Sequence, residues 1–123
     1  KLLPRRGDVF WARLEPTEGS EQQGHRPVLV VSLDAVNAKQ RVFICVCLTT
    51  KSHRLPPLAI EVKVVADKRS FALPGQIRAL SASRFGQHIG RVSEEDIQAT
   101  LDGLMQLCGR RPKAPAIGAA NDG

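Results

Sequence analysis

The chain has 123 residues, of which 42% are apolar, and its 18 basic and 12 acidic side chains give a formal net charge of +6. This length and apolar content fit one folded domain and exclude a chain that is disordered throughout. The sequence contains no apolar run of about 20 residues, which a membrane span needs, and no signal peptide is visible.

The first half of the chain predicts three strands. Residues 8–14 follow Gly7 and form the first of them. Residues 26–33 and 41–48 are nearly continuous β-branched apolar runs, a pattern typical of central strands buried on both faces. Between these two runs, residues 34–40 predict a polar turn or a short irregular connection.

The second half predicts shorter strands. Residues 59–65 alternate apolar and polar side chains, which indicates a half-exposed strand. A Pro-Gly pair at 74–75 predicts a turn between two short strands at 70–73 and 76–80, and residues 88–92 predict a last strand.

One segment has a helical period. Ser93 with Asp96 forms a variant capping box, and Gly109 is suited to the C-terminus of the helix. The apolar positions between them are spaced by four, three and four residues: Ile97, Leu101, Leu104 and Cys108. The elements together predict a mainly β domain over residues 1–109, a small antiparallel barrel with a C-terminal helix, followed by a flexible tail over 110–123.

The cysteines give no sign of a disulfide framework or a metal site. Cys45 and Cys47 lie two residues apart in a predicted strand and therefore share one of its faces, and Cys108 is distant in sequence. The number is odd, and neither a C-x-x-C pair nor zinc-type spacing is present. We expect free thiols in a reducing cytoplasm and no metal or cofactor.

The positive charge favours an anionic partner, of which nucleic acid is the first candidate, although a merely soluble basic surface would explain the charge equally well. Aromatic residues are scarce, with four Phe, one Trp and no Tyr. A nucleic acid would therefore be held mainly by guanidinium groups, amides and backbone and not by many stacked rings.

Three segments carry candidate binding residues. Arg26 and Pro27 open a strand beside a glycine-bounded loop, where the guanidinium can emerge at the barrel rim or form a salt bridge with Glu21 or Asp8. Hydroxyls and then cations follow the next central strand and match a phosphate, or simply end the strand in a solvated loop: Thr49, Thr50, Lys51, Ser52, His53 and Arg54. In the third segment Gln76 can read a base edge and Arg78 adds charge, although both are also ordinary strand residues.

Together these segments resemble the MazF/PemK-type toxins of bacterial toxin–antitoxin systems. The resemblance is carried by RRGDVFWARLEPTEGSEQQGHRPVLVVS, and then by VCLTTK, QIRALSASR and IGRVSEEDIQATLDGLMQL. It covers roughly residues 5–108. It implies an SH3-like (PemK/CcdB-like) barrel that forms a homodimer and cleaves single-stranded RNA (mRNA, tRNA or rRNA) at a short sequence without a metal ion. A cognate antitoxin with an acidic disordered segment would block it.

The resemblance also implies the site. The family's catalytic arginine and threonine fall on Arg26 and Thr49, and Thr50 is the neighbouring hydroxyl that can be confused with Thr49. The expected RNA-binding residues are Ser20, Glu21, Gln22, Thr50, Lys51, His53, Gln76 and Arg78. The family commonly has Asp or Glu before the glutamine, whereas this chain has Gly75, so contacts with RNA or antitoxin are expected to differ there.

Two other functions remain open from the sequence. The gyrase-poisoning toxins share the fold but act on a protein through their C-terminal region, and fold analogy does not separate the two activities. A basic barrel can also bind nucleic acid without cleaving it, which a steep salt dependence together with intact RNA would reveal.

Overall fold

The computed structural model describes residues 3–14, 24–53, 55–64 and 68–109. Its elements are β1 (Asp8–Arg13), β2 (His25–Val30), α1 (Asp34–Gln40), β3 (Val42–Thr49), β4 (Ile60–Val64), β5 (Lys68–Ser81), a 3-10 turn (Ala82–Arg84), β6 (Phe85–Arg91) and α2 (Glu94–Cys108). The tail predicted over 110–123 lies outside the described residues.

All six strands belong to one antiparallel sheet with the order β4-β5-β3-β2-β1-β6. The edge strands β4 and β6 contact each other, so the sheet curls into a half-barrel. This confirms the prediction of a mainly β fold with a C-terminal helix. Neither helix of the described segments has the length and apolar character that crossing a membrane requires.

Two apolar clusters lie on the two faces of the sheet. The cluster inside the half-barrel includes Val9, Leu29 and Val46, together with Ile97 from α2. The cluster on the opposite face is Ala12, Leu14, Val28, Val30, Phe43, Cys45, Cys47 and Leu80. Consecutive residues of β2 and β3 alternate between the two clusters, which is why their sequences read as continuous apolar runs. The shared face predicted for Cys45 and Cys47 is therefore confirmed.

The prediction of an irregular connection at 34–40 is wrong, because these residues form α1. A helix of seven residues is too short to be stable from propensity alone, so its neighbours must support it. Asn37 is buried, its side-chain oxygen accepts a hydrogen bond from the Ser32 hydroxyl, and its amide donates to the Ser32 carbonyl at 3.2 Å. The Ser32 hydroxyl oxygen in turn accepts from the Ile44 N–H at 3.0 Å. The polar side chains that suggested a turn are thus part of the packing.

The predicted turn at 74–75 is also wrong, because β5 runs continuously from Lys68 to Ser81. The chain instead bulges: Val46 pairs with Ile77, whereas the next residue of β3, Cys47, pairs with Leu73, so residues 74–76 are inserted between successive pairs. Pro74 is buried in this bulge beneath α2, where a Cβ added at Gly103 would lie 3.1 Å from Pro74 Cγ. Proline and glycine here mark a bulge under the helix.

The N-terminus of α2 confirms half of the predicted capping box. The Ser93 hydroxyl accepts a hydrogen bond from the Asp96 N–H at 3.1 Å. The Asp96 carboxylate accepts from the Lys63 N–H at 3.0 Å instead of returning to the cap. Since β4 is an edge strand, this bond pairs one of its outward-facing amides and fastens the helix to the barrel. At the other end, Gly109 has the left-handed conformation that the sequence predicts (φ 75°).

An ion pair joins the N-terminal segment to the first turn of α2. The Arg6 guanidinium donates to Glu94 Oε2 at 2.6 Å and to Oε1 at 3.1 Å, and it also donates to the Val31 carbonyl. Gln98 donates to the same carboxylate at 2.8 Å. These bonds, that from Arg6 first, lower the pKa of Glu94 from its ordinary 4.5 to about 2.

This pKa predicts a change in acid stability. Because folding depresses the Glu94 pKa, the carboxylate stabilises the protein fully above pH 4.5, and this contribution is lost as the pH falls toward 2. Glu94→Gln should therefore unfold at a lower urea concentration at neutral pH, and the difference from the parent protein should shrink between pH 4.5 and 2. Glu95→Gln, in the same helical turn, is the matched control. Urea midpoints whose separation stays constant over that range would contradict the assignment.

Candidate active site

The ends of β2 and β3 bring Arg26 and Thr49 together. The two strands pair from Val30 opposite Cys45 to Val28 opposite Cys47. Arg26 lies two residues before Val28, and Thr49 lies two residues after Cys47. Side chains two residues apart on a strand share a face, so the guanidinium and the hydroxyl leave adjoining strands on the same side of the sheet. Both residues are half-buried.

Two clefts meet at these strand ends. The mouth cleft, at the open end of the half-barrel, has a volume of about 840 Å³, and Trp11, Pro27, Leu48 and Ile89 lie in its wall. The rim cleft, of about 740 Å³, is lined on its far side by His53, Leu55 and Gln76. Arg26, Thr49 and Lys51 line both clefts. These three side chains form the boundary between the clefts, which we call the bridge.

The bridge can hold an anion. Thr49 Oγ1 accepts a hydrogen bond from the Lys51 N–H at 3.2 Å, which orients the hydroxyl oxygen and leaves its proton to be donated to a ligand. The Arg26 guanidinium supplies forked N–H donors, and Lys51 supplies an exposed ammonium group. A phosphodiester at the boundary of the two clefts would thus meet one hydroxyl donor and two cations.

The thiols of Cys45 and Cys47, on the strand that ends at the bridge, are uncharged at neutral pH. Burial raises the pKa of the Cys47 thiol, and the nearby cations of Arg26 and Arg78 only partly offset the effect. Burial, followed by the charge of Cys47, raises the pKa of Cys45 to about 12. Both thiols stay protonated at neutral pH, so neither is a thiolate nucleophile. Their role is packing beneath the bridge.

The two neighbouring threonines differ in position. Thr49 is half-buried and lies on the bridge, whereas Thr50 is exposed and lies among the residues of the mouth cleft. The position of Thr49 between both clefts favours it over Thr50 as the donor to a bound phosphate.

The other predicted site residues have different positions. His53 and Gln76 are exposed and lie together in the rim cleft. Arg78 is half-buried opposite Cys45 in the β3–β5 register. Ser20, Glu21 and Gln22, predicted to bind RNA, lie outside the described residues.

The salt-bridge alternative for Arg26 involves Asp8 or Glu21. The Asp8 carboxylate accepts from Arg91 at 2.6 Å and is 3.1 Å from His88 Nε2. Asp8 lines a separate cleft with these partners, away from the bridge. Glu21 is outside the described residues.

Sequence reasoning missed Trp11. The scarcity of aromatic residues argued against stacking as the main mode of binding, but the single tryptophan is 42% exposed and lies in the mouth cleft. In the β1–β2 register it is opposite Pro27, the neighbour of Arg26. The signal in the sequence was a large aromatic residue in a short strand whose partner strand begins at the candidate arginine.

Residues 5–108 match the sequence model of one protein family, described as the PemK-like, MazF-like toxin of type II toxin-antitoxin systems. The chain belongs to this family. It is 35% identical over 100 residues to the endoribonuclease toxin MazF of Escherichia coli (strain K12), an alignment that spans 80% of this chain and 87% of that protein.

Solved structures of the PemK/MazF family share the fold. A crystal structure of MazF from Deinococcus radiodurans aligns with a TM-score of 0.73 at 23% identity, covering 89% of this chain and 99% of that one. A mycobacterial endoribonuclease in complex with its cognate antitoxin aligns with a TM-score of 0.65 at 22% identity, covering 89% and 97%. In the described part of this family member, no group of three or more His, Cys, Asp or Glu side chains is arranged to hold a metal ion.

Proposed function

We propose that this toxin cleaves single-stranded RNA at the bridge between its two clefts, without a metal ion, and thereby inhibits translation and growth. Family membership and 35% identity to an endoribonuclease toxin make RNA cleavage its activity. The observation that carries the assignment of the site is that Arg26, Thr49 and Lys51 line both clefts. A strand of RNA that crosses the bridge would leave one nucleotide on each side of the bound phosphate.

The chemistry follows from these groups. The 2′-hydroxyl next to the scissile phosphate attacks phosphorus, the P–O5′ bond breaks, and one proton passes from the 2′-oxygen to the leaving 5′-oxygen. The products are a 2′,3′-cyclic phosphate and a 5′-hydroxyl. The nucleophile belongs to the substrate, so the protein positions it and stabilises the charge that develops on the phosphoryl oxygens. Arg26 acts through its charge and forked donors, since its very high pKa makes it a poor base. Thr49 donates to the same oxygens.

The rim cleft supports sequence selection. Gln76 presents both hydrogen-bond donors and acceptors there, and His53 adds the ring nitrogens of its imidazole. Unstacked bases of single-stranded RNA are commonly read on their edges by such side chains. We assign to Gln76 and His53 the reading of a base on one side of the cleavage site, with Arg78 and Lys51 contributing charge. Gly75, where the family commonly has an acidic residue, is not among the residues that line this cleft, and a Cβ added there would meet Leu107 of α2.

An exposed apolar strip supports a homodimer. Val42 and Ile44 of β3 are 38% and 40% exposed, and Ile77 of β5 is 38% exposed on the same face of the sheet. Leu107 of α2, which is 49% exposed, extends the strip past Gly75, since a Cβ added there would lie 3.6 Å from its Cδ1. A contiguous apolar face on a protein of this size favours association. We propose that a second copy covers it.

The partners follow from charge and from the relatives. Structures of the family include toxins bound to antitoxins from Deinococcus radiodurans and from mycobacteria. We propose that a cognate antitoxin binds this toxin through an acidic segment, and that it competes with RNA for the basic bridge.

We also propose that the toxin domain comprises residues 1–109 and that residues 110–123 lie outside this domain. The toxin acts in the cytoplasm, where mRNA, tRNA and rRNA are available.

Cleavage of a mixed-sequence single-stranded RNA in EDTA tests the activity. Since no step needs a metal ion, the purified protein should cut at the same sites and at an unchanged rate with EDTA or with Mg²⁺. The new 5′ ends should carry hydroxyl groups, so they should become labelled by a 5′-kinase without prior phosphatase treatment. Sequencing these ends gives the cleavage motif. Cleavage that disappears in EDTA, or new ends that carry 5′-phosphates, would contradict the mechanism.

A further inference from the structure

The mouth cleft contains a flat aromatic surface beside the bridge. Trp11 is 42% exposed although it lies in the middle of β1, and it is the single tryptophan of the sequence. Pro27 lies opposite it on β2, and Ile89 and Leu48 contribute further apolar surface to the same cleft. The wall of the mouth cleft is therefore apolar and aromatic around Trp11, and Arg26, Thr49 and Lys51 line the same cleft.

The size and composition of this cleft match one nucleotide of the RNA substrate. Small-molecule sites in proteins typically have volumes of about 300 to 1,000 Å³ and apolar walls with a few polar groups at defined points. The mouth cleft, at about 840 Å³, has most of its polar side chains on the bridge or next to it in sequence (His25 and Thr50), and Ser70 is the one polar residue of its lining on another strand. A nucleotide fits this division, because its phosphate would lie on the bridge while its base lies against the apolar wall.

Resting on the proposed cleavage site, we infer that Trp11 is the stacking platform for one base that adjoins the scissile phosphate. The two clefts then treat the flanking bases differently. An aromatic ring stacks on any base, so the mouth cleft should accept all four bases but should require that a base be present. The rim cleft, with the amide of Gln76, selects its base by hydrogen bonding. Trp11 is thus a positioning residue that holds the nucleotide while the bridge acts on its phosphate.

Because Trp11 is the single tryptophan, its fluorescence reports on this contact directly. The probe is a short synthetic single-stranded RNA that spans a mapped cleavage site, titrated into the Thr49→Ala protein so that it stays intact. Saturating RNA should quench the Trp11 emission. The same RNA with an abasic ribose on one side of the scissile phosphate should still bind, as followed by the anisotropy of an end label, but should no longer quench. Binding without quenching by the full RNA would overturn the inference.

Cleavage kinetics separate stacking from packing. Trp11→Leu keeps an apolar side chain but removes the ring, and should lower kcat/KM by roughly 5- to 150-fold, as loss of one stacked base does. Trp11→Phe should restore most of it. On the abasic substrate that fails to quench, Trp11→Leu and the parent protein should have the same kcat/KM. Replacing that base by any other base should change the kcat/KM of the parent protein little. Leu3→Ala, at another exposed apolar side chain outside both clefts, is the matched control.

The two proposals fail in different ways. Parent protein that binds RNA with quenching but never cuts it would refute the cleavage site and leave the stacking contact standing. Parent protein that cuts RNA in EDTA, combined with full activity in Trp11→Leu, would refute the stacking role alone. The parent protein, Trp11→Leu and Trp11→Phe should have the same thermal unfolding midpoint, which checks that their differences in kcat/KM come from RNA binding and not from folding.

Discussion

Arg26→Ala and Thr49→Ala should each lower the rate of cleavage at a mapped RNA site by roughly 100- to 1,000-fold under single-turnover conditions. Removing one donor to a developing oxyanion typically costs about 2.7 to 4 kcal/mol of transition-state stabilisation, which corresponds to this range. Both side chains lie on the bridge and would act on the same phosphoryl oxygens. The double variant should therefore lose less than the product of the two single losses, since residues that act as a unit are not additive.

Two conservative variants sharpen this expectation. Arg26→Lys keeps the charge but loses the forked donors, so it should recover little of the rate if the planar guanidinium matters. Thr49→Val keeps the shape of the side chain and removes its hydroxyl, and Thr50→Val is its matched control at the neighbouring exposed position. RNA binding, measured by anisotropy, should fall much less than the rate. Undiminished cleavage by Thr49→Val together with loss in Thr50→Val would transfer the role to Thr50.

The barrel could be predicted because its strands carry a simple pattern. Glu61 and Lys63 are exposed on β4 while Val62 and Val64 are buried, as the alternation of the sequence indicates. The runs in β2 and β3 indicate central strands, and both lie in the middle of the sheet. One detail of that prediction is wrong, because Val42 and Ile44 at the start of β3 are exposed on one face. If a second copy covers these two side chains, as we propose, the apolar run indicates burial in the dimer and not in the single chain.

The two wrong elements have a common cause. Local signals at 34–40 and 74–75 indicated turns, and in both places tertiary contacts decided otherwise. Asn37 is buried by its hydrogen bonds to Ser32, and Pro74 is buried beneath α2 at Gly103. Gly103 is distant in sequence from Pro74. Ser32 is only five residues from Asn37, but its hydroxyl is itself bonded to the Ile44 N–H, twelve residues away, so a local pattern does not reveal either arrangement. β6 likewise starts three residues before the predicted 88–92, at Phe85, whose ring stacks on Phe10 with centroids 4.9 Å apart.

The candidate site could be predicted in part. Hydroxyls and cations at strand ends indicated phosphate binding, and Arg26, Thr49 and Lys51 do lie together. What the sequence did not indicate is that these residues separate two clefts of different character, or that Trp11 lies in one of them. Both facts depend on how β1 and β5 approach the ends of β2 and β3. That approach is set by strand order, which follows from the whole fold and not from any one segment.

Ile44→Glu should convert the protein from a dimer to a monomer. Ile44 lies in the middle of the exposed apolar strip, between Val42 and Ile77, and is 40% exposed in the single chain. If a second copy covers this strip, the substitution buries a carboxylate without a partner, a cost of several kcal/mol per copy that a standard-sized interface does not tolerate. Because a dimer related by two-fold symmetry contains the substitution twice, the penalty doubles.

Sedimentation equilibrium at micromolar concentration measures this directly, with the parent protein expected at twice the mass of one chain. Leu3→Glu places the same charge at another exposed apolar side chain, away from the strip, and should remain dimeric. The Ile44→Glu monomer should stay folded, since the substituted side chain faces solvent in the single chain. Its bridge is intact, so any loss of RNA cleavage by the folded monomer would mean that the RNA path extends onto the second copy. A dimeric Ile44→Glu protein, or a parent protein that is monomeric at all concentrations, would show that the strip has another purpose.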